Sequence, residues 1–229
     1  MYDLFIANKN YSSWSLRPWL LMKQLGIPFR EHARMFKEGG SSAAFRAFSP
    51  SGKVPCLHAD GQRIWDSLAI TEFLAERHPG VWPSDPAARA WARCAAAEMH
   101  SGFGELRNIC SMSCGVRVSL HGVTPALQAD LDRLSELWQE GLNRFGGPFL
   151  AGEAFTAVDA FFAPVAFRIQ TYGLNLPADA LAYAQDLLAL PGMQQWYAEA
   201  LREPWREAAH EEDVLAHGAL LSDLRATAN

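Results

Sequence analysis

The sequence predicts a two-part fold, an α/β unit followed by an all-α unit, and three observations carry this prediction. Strand-like and helix-like segments alternate over the first 80 residues, residues 79–86 contain three prolines, and every later segment has helical periodicity. We therefore place an α/β domain at residues 1–80, a linker at 81–86 and a helical domain at 87–229.

The first unit is predicted to run strand, helix, strand, helix, strand, strand, helix. Short apolar runs alternate with apolar-periodic segments, and Asp60-Gly61 is a strong hairpin signal. A helical crossover joins the first two strands, so we expect these strands to be parallel and the hairpin to be antiparallel. The predicted segments are residues 2–7, 12–25, 29–35, 42–48, 54–58, 63–65 and 68–77.

The second unit is predicted to contain helices only. Thr156 and Asp159 have the spacing of a capping box, which predicts that a helix begins here. The charged run 206–213 is predicted to be a solvated helix face. The helical segments are residues 87–114, 125–145, 157–171, 180–190 and 192–202.

Composition excludes several classes of function. The net charge of −5, from 20 basic and 25 acidic residues, disfavours a nucleic-acid partner. No apolar run reaches the roughly eighteen residues of a membrane span, and no secretion signal is recognisable, so we expect a cytoplasmic protein without membrane contact. The four cysteines have no zinc-site spacing, so we expect no metal and mostly buried, reduced thiols. These cysteines are Cys56, Cys94, Cys110 and Cys114, and the last two are expected on one helix.

Three serines lie where the first predicted strand leads into the first helix: Ser12, Ser13 and Ser15, with Tyr11 beside them. A serine in this position can simply cap the helix. A hydroxyl at a helix N-terminus can also hold a bound thiol as thiolate, because comparable surroundings lower a cysteine pKa from about 8.5 to roughly 3.5–7.5. Both interpretations stay open from the residues alone.

Two further pairs have a structural and a functional interpretation. Val54-Pro55 is either an ordinary edge-strand proline or a cis-proline that lets the Val54 backbone pair with an extended peptide ligand. Asp66-Ser67 precedes a helix, so Ser67 is a candidate N-cap. Alternatively, this helix N-terminus binds a carboxylate while Asp66 binds an ammonium group, as the α-amino-acid end of a ligand requires.

In their order and separation, four stretches resemble the cytosolic glutathione transferases: SSWSLR, KVPCL, WDSLAITEFLAERHP and FTAVDAFFAPV. The resemblance extends over essentially the whole chain and is closest to bacterial-type, serine-type, zeta-like members. It implies a thioredoxin-like N-terminal domain (βαβαββα), an all-helical C-terminal domain, glutathione as co-substrate, a small-molecule electrophile as the other partner, and a homodimer.

The resemblance also implies roles for individual residues. Ser12 is the predicted catalytic hydroxyl that hydrogen-bonds the glutathione sulfur, with Ser13 and Ser15 as substitutes. The predicted glutathione-binding set is Ser12, Ser13, Lys53, Val54, Pro55, Asp66 and Ser67. The predicted pocket for the second substrate contains His100, Phe103 and Arg107.

The expected function is a detoxifying glutathione transferase that conjugates the activated thiol to small hydrophobic electrophiles. The alternatives are a glutathione-dependent isomerase of the maleylacetoacetate isomerase type, a peroxidase on the same fold, and a non-catalytic ligand-binding or scaffold protein. In the motif that resembles the zeta class, Trp14 stands where that class has a cysteine. Arg168 lies near the position of that class's substrate-carboxylate arginine.

Overall fold

A four-stranded mixed sheet in the order β2-β1-β3-β4 organises the first part of the chain, in a computed structural model that describes residues 1–225. Its elements are β1 (Tyr2–Ile6), α1 (Ser13–Gln24), β2 (Phe29–Ala33), α2 (Ser42–Phe45), β3 (Cys56–Ala59), β4 (Gln62–Trp65) and α3 (Ser67–Ala75). Strand β1 pairs parallel with β2 and antiparallel with β3, and β3 and β4 form the antiparallel hairpin. The element order and strand directions predicted from the sequence are confirmed.

Helix α1 covers one face of this sheet. Its residues Leu16 and Leu20 are fully buried, as is Leu4 of β1, because the apolar side chains of a helix recur on one face at this spacing. The helix ends before Gly26, whose φ of 64° lies in the left-handed region that glycine adopts without strain.

The second part is helical, as predicted, and carries an additional two-stranded ribbon. Its elements are α4 (Pro86–Ser101), α5 (Gly104–Ile109), β5 (Val116–Leu120), α6 (Pro125–Phe145), α7 (Ala157–Tyr172), α8 (Ala178–Ala189), α9 (Pro191–Arg202), α10 (Ala208–Leu215) and β6 (Gly218–Asp223). Strands β5 and β6 pair antiparallel. Periodicity cannot reveal such a ribbon, since β5 pairs with a strand about a hundred residues away.

The single helix predicted over residues 87–114 is wrong. Gly102 is extended at φ −101° and ψ −161°, and Phe103 is left-handed at φ 54°, so the chain leaves the helix and restarts as α5. Cys110 follows α5 and Cys114 lies in the next loop, so the two thiols do not share a helix. Three of the four cysteines are buried, and Cys94 is exposed.

The predicted capping box at the start of α7 is confirmed. The buried Asp159 carboxylate accepts hydrogen bonds from the Thr156 N–H at 2.9 Å, the Leu150 N–H at 3.0 Å and the Tyr183 hydroxyl at 2.8 Å. Burial raises the pKa of Asp159 to about 6. Asp159 therefore ties three segments of the helical part together.

The linker is part of the packed structure. Val81 is fully buried, and its carbonyl oxygen accepts the Ala157 N–H at 2.8 Å. Within residues 1–225, no helix is both long and apolar enough to span a bilayer. The same residues contain no cluster of three or more His, Cys, Asp or Glu side chains that could hold a metal ion.

Candidate active site

Ser12 stands immediately before α1 and does not cap the helix with its side chain. Its hydroxyl donates to Ser15 Oγ at 2.7 Å, and Ser15 Oγ also accepts the Ala7 N–H at 3.2 Å. Ser15 is fully buried in these bonds, whereas Ser12 lines a cavity. Ser13 is buried at the first position of α1 and does not line that cavity. Of the three serines, Ser12 is thus the one positioned to meet a ligand.

Two adjoining cavities form a cleft along this edge of the first part. The cavity at Ser12 measures about 320 Å³, and the second, about 400 Å³, is lined by residues of the β4–α3 turn. Trp14, Lys53 and Val54 line both cavities, so the two lie side by side. The side chains that distinguish the second cavity are Ser51, Pro55, Trp65, Asp66 and Ser67.

The Val54–Pro55 peptide bond is cis, as the functional interpretation of this pair predicted. Pairing between β3 and its neighbours begins at Cys56, so the backbone of Val54 lies outside the sheet ladder. Because Val54 lines both cavities, its peptide groups are available to an extended ligand in the cleft.

The N-cap of α3 is Asp66, so the prediction that Ser67 caps this helix is wrong. Asp66 adopts a φ of 75°, which lets its Oδ1 accept the Leu68 N–H at 2.8 Å. Since the cap is already filled, Ser67 becomes the first helical residue, and its buried Oγ has no hydrogen-bond partner among the described residues. A buried unpaired hydroxyl is costly, and a ligand in the second cavity would satisfy it.

Trp14 lies over an unusual buried cation, Arg17. The Arg17 guanidinium is 4.1 Å from the centroid of the Trp14 ring and 4.9 Å from that of Phe161. Arg17 is 2% exposed and forms no hydrogen bond or ion pair within residues 1–225. Burial, the main cause, lowers its pKa to about 9. The result is a positive charge beside the cleft that no carboxylate contacts directly, although the charge of Asp66 acts on it from a distance.

The predicted second-substrate residues divide into two groups. His100 meets the Trp14 ring edge-on at 5.2 Å, and Arg107 lies 5.5 Å from the same ring. Both therefore contact a residue of the cleft, but neither lines one of its two cavities. Burial lowers the pKa of His100. Phe103 also lines neither cavity and packs in the core, 6.4 Å from Phe162.

Arg168 of α7 is oriented by backbone oxygens. Its Nε donates to the carbonyl of Cys110 at 2.8 Å, and only 4% of the residue is exposed. Arg168 therefore fixes the loop after α5, and the guanidinium that is free of partners beside Trp14 is that of Arg17.

Sequence reasoning missed the wall that the second part of the chain adds to the first cavity. Glu207 and His210 line it, although the run 206–213 was predicted to be a solvated face. Glu207 is 7% exposed, and the His210 ring stacks 4.9 Å from Tyr11 and 4.5 Å from Phe36. No local signal could have revealed this, because the contacts join residues about 170 to 200 positions apart in the chain.

Comparison with known proteins identifies relatives of both parts. The family described as the glutathione S-transferase N-terminal domain matches residues 11–77, and the glutathione S-transferase C-terminal domain matches residues 117–199. The maleylacetoacetate isomerase of Rattus norvegicus is 28% identical over 202 residues, which cover 85% of this chain and 89% of that protein. The maleylacetoacetate isomerase of Dictyostelium discoideum is 32% identical over 179 residues, covering 71% and 74% respectively.

Solved structures share the fold. The crystal structure of a glutathione transferase homolog from Burkholderia gl BGR1, with bound glutathione, matches with a TM-score of 0.64 at 22% identity. The match covers 87% of this chain and 97% of that one, so the two-part architecture is shared as a whole.

Proposed function

Since the chain belongs to the glutathione S-transferase family, we propose that it is a glutathione-dependent isomerase of the type named in its relatives. Its substrate would be a cis-configured unsaturated keto acid of the maleylacetoacetate class. This proposal puts the alternative derived from the sequence ahead of conjugation, because the similar proteins are named maleylacetoacetate isomerases.

The cleft formed by the two adjoining cavities carries the proposal. At one end lies the Ser12 hydroxyl before α1, and at the other lies the unpartnered Ser67 hydroxyl at the start of α3. We propose that glutathione binds along it, with its sulfur at Ser12 and its cysteinyl backbone against Val54. Its γ-glutamyl end would meet Asp66 and Ser67, where the helix N-terminus favours a carboxylate and the Asp66 carboxylate favours an ammonium group.

The remaining predicted binding residues have subordinate roles in this proposal. Lys53 lines both cavities and can contribute its charge to a bound glutathione carboxylate. Pro55 sets the direction of the chain at Val54. Ser13 has no direct contact with glutathione in this proposal, because its backbone N–H donates to the Tyr11 carbonyl at 2.9 Å and its side chain does not line the cleft.

The proposed reaction needs a nucleophile that adds and leaves again. The glutathione thiolate adds to one carbon of the cis double bond, a C–S bond forms, and the π electrons move to the carbonyl oxygen as an enolate. The former double bond is now single and rotates, the enolate electrons return, and the C–S bond breaks to give the trans isomer and the free thiolate. Arg17 and Arg107 supply positive charge near Trp14 that stabilises the anionic substrate and enolate.

Conjugation of hydrophobic electrophiles is the second candidate. Aromatic side chains line the cavity at Ser12: Tyr11, Trp14, Phe36 and Phe45. Such a lining suits an apolar electrophile as well as a keto acid. No observation favours a peroxidase or a scaffold. A homodimer and a cytoplasmic location stay predictions from the sequence.

Measuring product and thiol together separates the two candidates. Maleylacetoacetate is incubated with the protein and glutathione, the trans isomer is followed by proton NMR, and free thiol is titrated at intervals. Isomerisation without loss of thiol supports the proposal. Loss of one thiol per substrate consumed would instead establish conjugation, and no glutathione-dependent change would reject both candidates.

A further inference from the structure

We propose that His210 is the acid–base residue of the cleft and takes the proton of the glutathione thiol. The inference rests on the proposed function to the extent that glutathione must bind with its sulfur at Ser12. It assigns a catalytic role to α10, a helix from the far end of the chain that sequence reasoning took for a solvated face.

His210 and Ser12 line the same cavity. At about 320 Å³, this cavity lies at the lower end of the range for small-molecule sites, so a sulfur bound at Ser12 shares a confined space with the imidazole. A proton acceptor needs this proximity, within direct contact or one bridging water.

The imidazole is held on both faces and at one edge. Tyr11 and Phe36 stack on it with interplanar angles of 22° and 25°. Glu207 Oε2 is 2.6 Å from His210 Nδ1 and also accepts the His210 backbone N–H at 2.9 Å. A ring fixed in this way loses little freedom when it reacts, which is the preorganisation that acid–base catalysis requires.

Glu207 determines which ring nitrogen carries the proton. Burial works to raise the pKa of Glu207, but the hydrogen bonds from His210 outweigh it and hold that pKa below its usual value, so Glu207 is a carboxylate. A carboxylate only accepts hydrogen bonds, so Nδ1 of the neutral ring carries the hydrogen. Nε2 then holds a lone pair, and it has no hydrogen-bond partner among the described residues.

The step moves one proton. The S–H bond breaks, its electron pair stays on sulfur as the thiolate, and the proton passes to His210 Nε2 to give an imidazolium beside the Glu207 carboxylate. Ser12 donates its hydroxyl hydrogen to the thiolate. In isomerisation the proton stays on His210 while the thiolate adds and leaves, and it returns to sulfur when glutathione departs.

Other charged and titratable groups surround this ring, and they must be considered in any pH profile. They are Glu207 at the N-cap of α10, Glu211 on α10, Tyr11 before α1, Arg225 bound to Glu211, and Lys37 and Lys53 in the cavity wall. Removing His210 alone separates its titration from theirs.

The test uses His210→Ala and His210→Asn in the full-length chain, with His121→Ala as the matched control. His121 is exposed and lies outside the cleft. His210→Asn can keep a donor to Glu207 but lacks the second ring nitrogen. His210→Ala opens a slot between Tyr11 and Phe36 that free imidazole can enter. Circular dichroism confirms that each variant is folded.

The first readout is the ultraviolet absorbance of bound glutathione thiolate against pH, which needs no second substrate. In both His210 variants we expect at least tenfold less thiolate at neutral pH and turnover reduced by about 100-fold or more. Added imidazole should restore thiolate and turnover in His210→Ala only. His121→Ala should match the wild type.

Two results would overturn the inference: thiolate titration and turnover unchanged in both His210 variants, or a loss that imidazole does not restore in folded His210→Ala. If the wild type forms thiolate but does not isomerise keto acids, only the proposed reaction fails and the role of His210 is still decided. If the wild type does not bind glutathione, both are rejected.

Discussion

The Ser12 hydroxyl donates its hydrogen to Ser15 Oγ at 2.7 Å, and the same Ser15 oxygen accepts the Ala7 N–H at 3.2 Å. Ser15 thus stabilises the fold through its bond to Ala7, while the Ser12 hydroxyl can donate to a ligand in place of Ser15. A thiolate is a stronger acceptor than a hydroxyl, so bound glutathione would draw the Ser12 hydrogen away from Ser15.

Ser12→Ala should separate chemistry from stability. A hydrogen bond to a charged group is worth about 1.5–3 kcal/mol, so its loss should raise the pKa of bound glutathione by about one to two pH units. Thiolate absorbance against pH measures this, and Ser13→Ala is the matched control. An unchanged thiolate pKa in Ser12→Ala would leave Ser12 without a role in thiol activation.

Ser15→Ala, in contrast, should lower the stability of the folded protein. It leaves the buried Ala7 N–H without its partner, at a cost of about 1–3 kcal/mol in the free energy of unfolding. Urea denaturation measures the loss, and Ser12→Ala serves as the comparison because it removes only a donor. Equal destabilisation by the two substitutions would contradict the assignment of Ser15 to the fold and Ser12 to the ligand.

Ser67→Ala should weaken ligand binding without weakening the free protein. The Ser67 hydroxyl is buried and unpaired, so removing it should leave the free energy of unfolding unchanged or slightly higher. Glutathione should bind about tenfold more weakly, since one hydrogen bond is lost. Calorimetric titration and urea denaturation of the same preparation test both statements. A destabilised variant that binds glutathione normally would show that Ser67 serves the fold.

Arg17→Met should discriminate between substrates. Replacing a buried charge that forms no ion pair by an apolar side chain is often neutral or stabilising, so we expect no loss in the free energy of unfolding. The value of kcat/KM for a carboxylate-bearing keto acid should fall tenfold or more, while an uncharged electrophile should be converted at nearly the wild-type rate. Arg17→Lys, which keeps the charge, is the control. Equal losses for both substrates would argue that Arg17 acts through packing on Trp14.

Asp159 should make the free energy of unfolding depend on pH. Burial raises its folded-state pKa from the ordinary value of about 4 for an aspartate to about 6, so the folded protein holds this proton more tightly than the unfolded chain. The Asp159 contribution to stability should therefore decrease as pH rises from about 4 to about 6, by roughly 3 kcal/mol in total.

Urea denaturation of wild type and Asp159→Asn across this pH range isolates the effect. The difference in unfolding free energy between the two should shrink as pH rises, although Asp159→Asn is less stable throughout because an amide NH₂ meets hydrogen-bond donors. Asp186→Ala, an exposed position on α8, is the control for an ordinary carboxylate. A difference that does not vary with pH would mean that Asp159 is ionised throughout.

Local patterns predicted most of the first part of the chain. The Asp-Gly hairpin, the helical crossover and the glycine stop after α1 all act over a few residues, so the order of the elements and the strand directions followed from them. The capping box at Thr156 was likewise predicted from a short motif, and the cis bond at Pro55 was one of the two interpretations of Val54-Pro55.

Long-range contacts explain what the sequence did not reveal. The break at Gly102-Phe103 depends on backbone angles that a helical apolar pattern does not encode. Asp66 displaced Ser67 as the cap of α3 because it adopts a positive φ that few residues tolerate. The position of His210 in the cavity wall could not be predicted from the sequence, because it depends on α10 folding back onto Tyr11 and Phe36.

That return of the chain has a consequence for biosynthesis. Tyr11 donates a hydrogen bond to Glu211, and the two residues are 200 positions apart. A ribosome that has reached Arg202 has made the whole sheet and the helices through α9, but not the wall that contains His210. A nascent chain would therefore be able to fold its glutathione-binding half before it can react, and its chemistry would begin only once translation has passed α10.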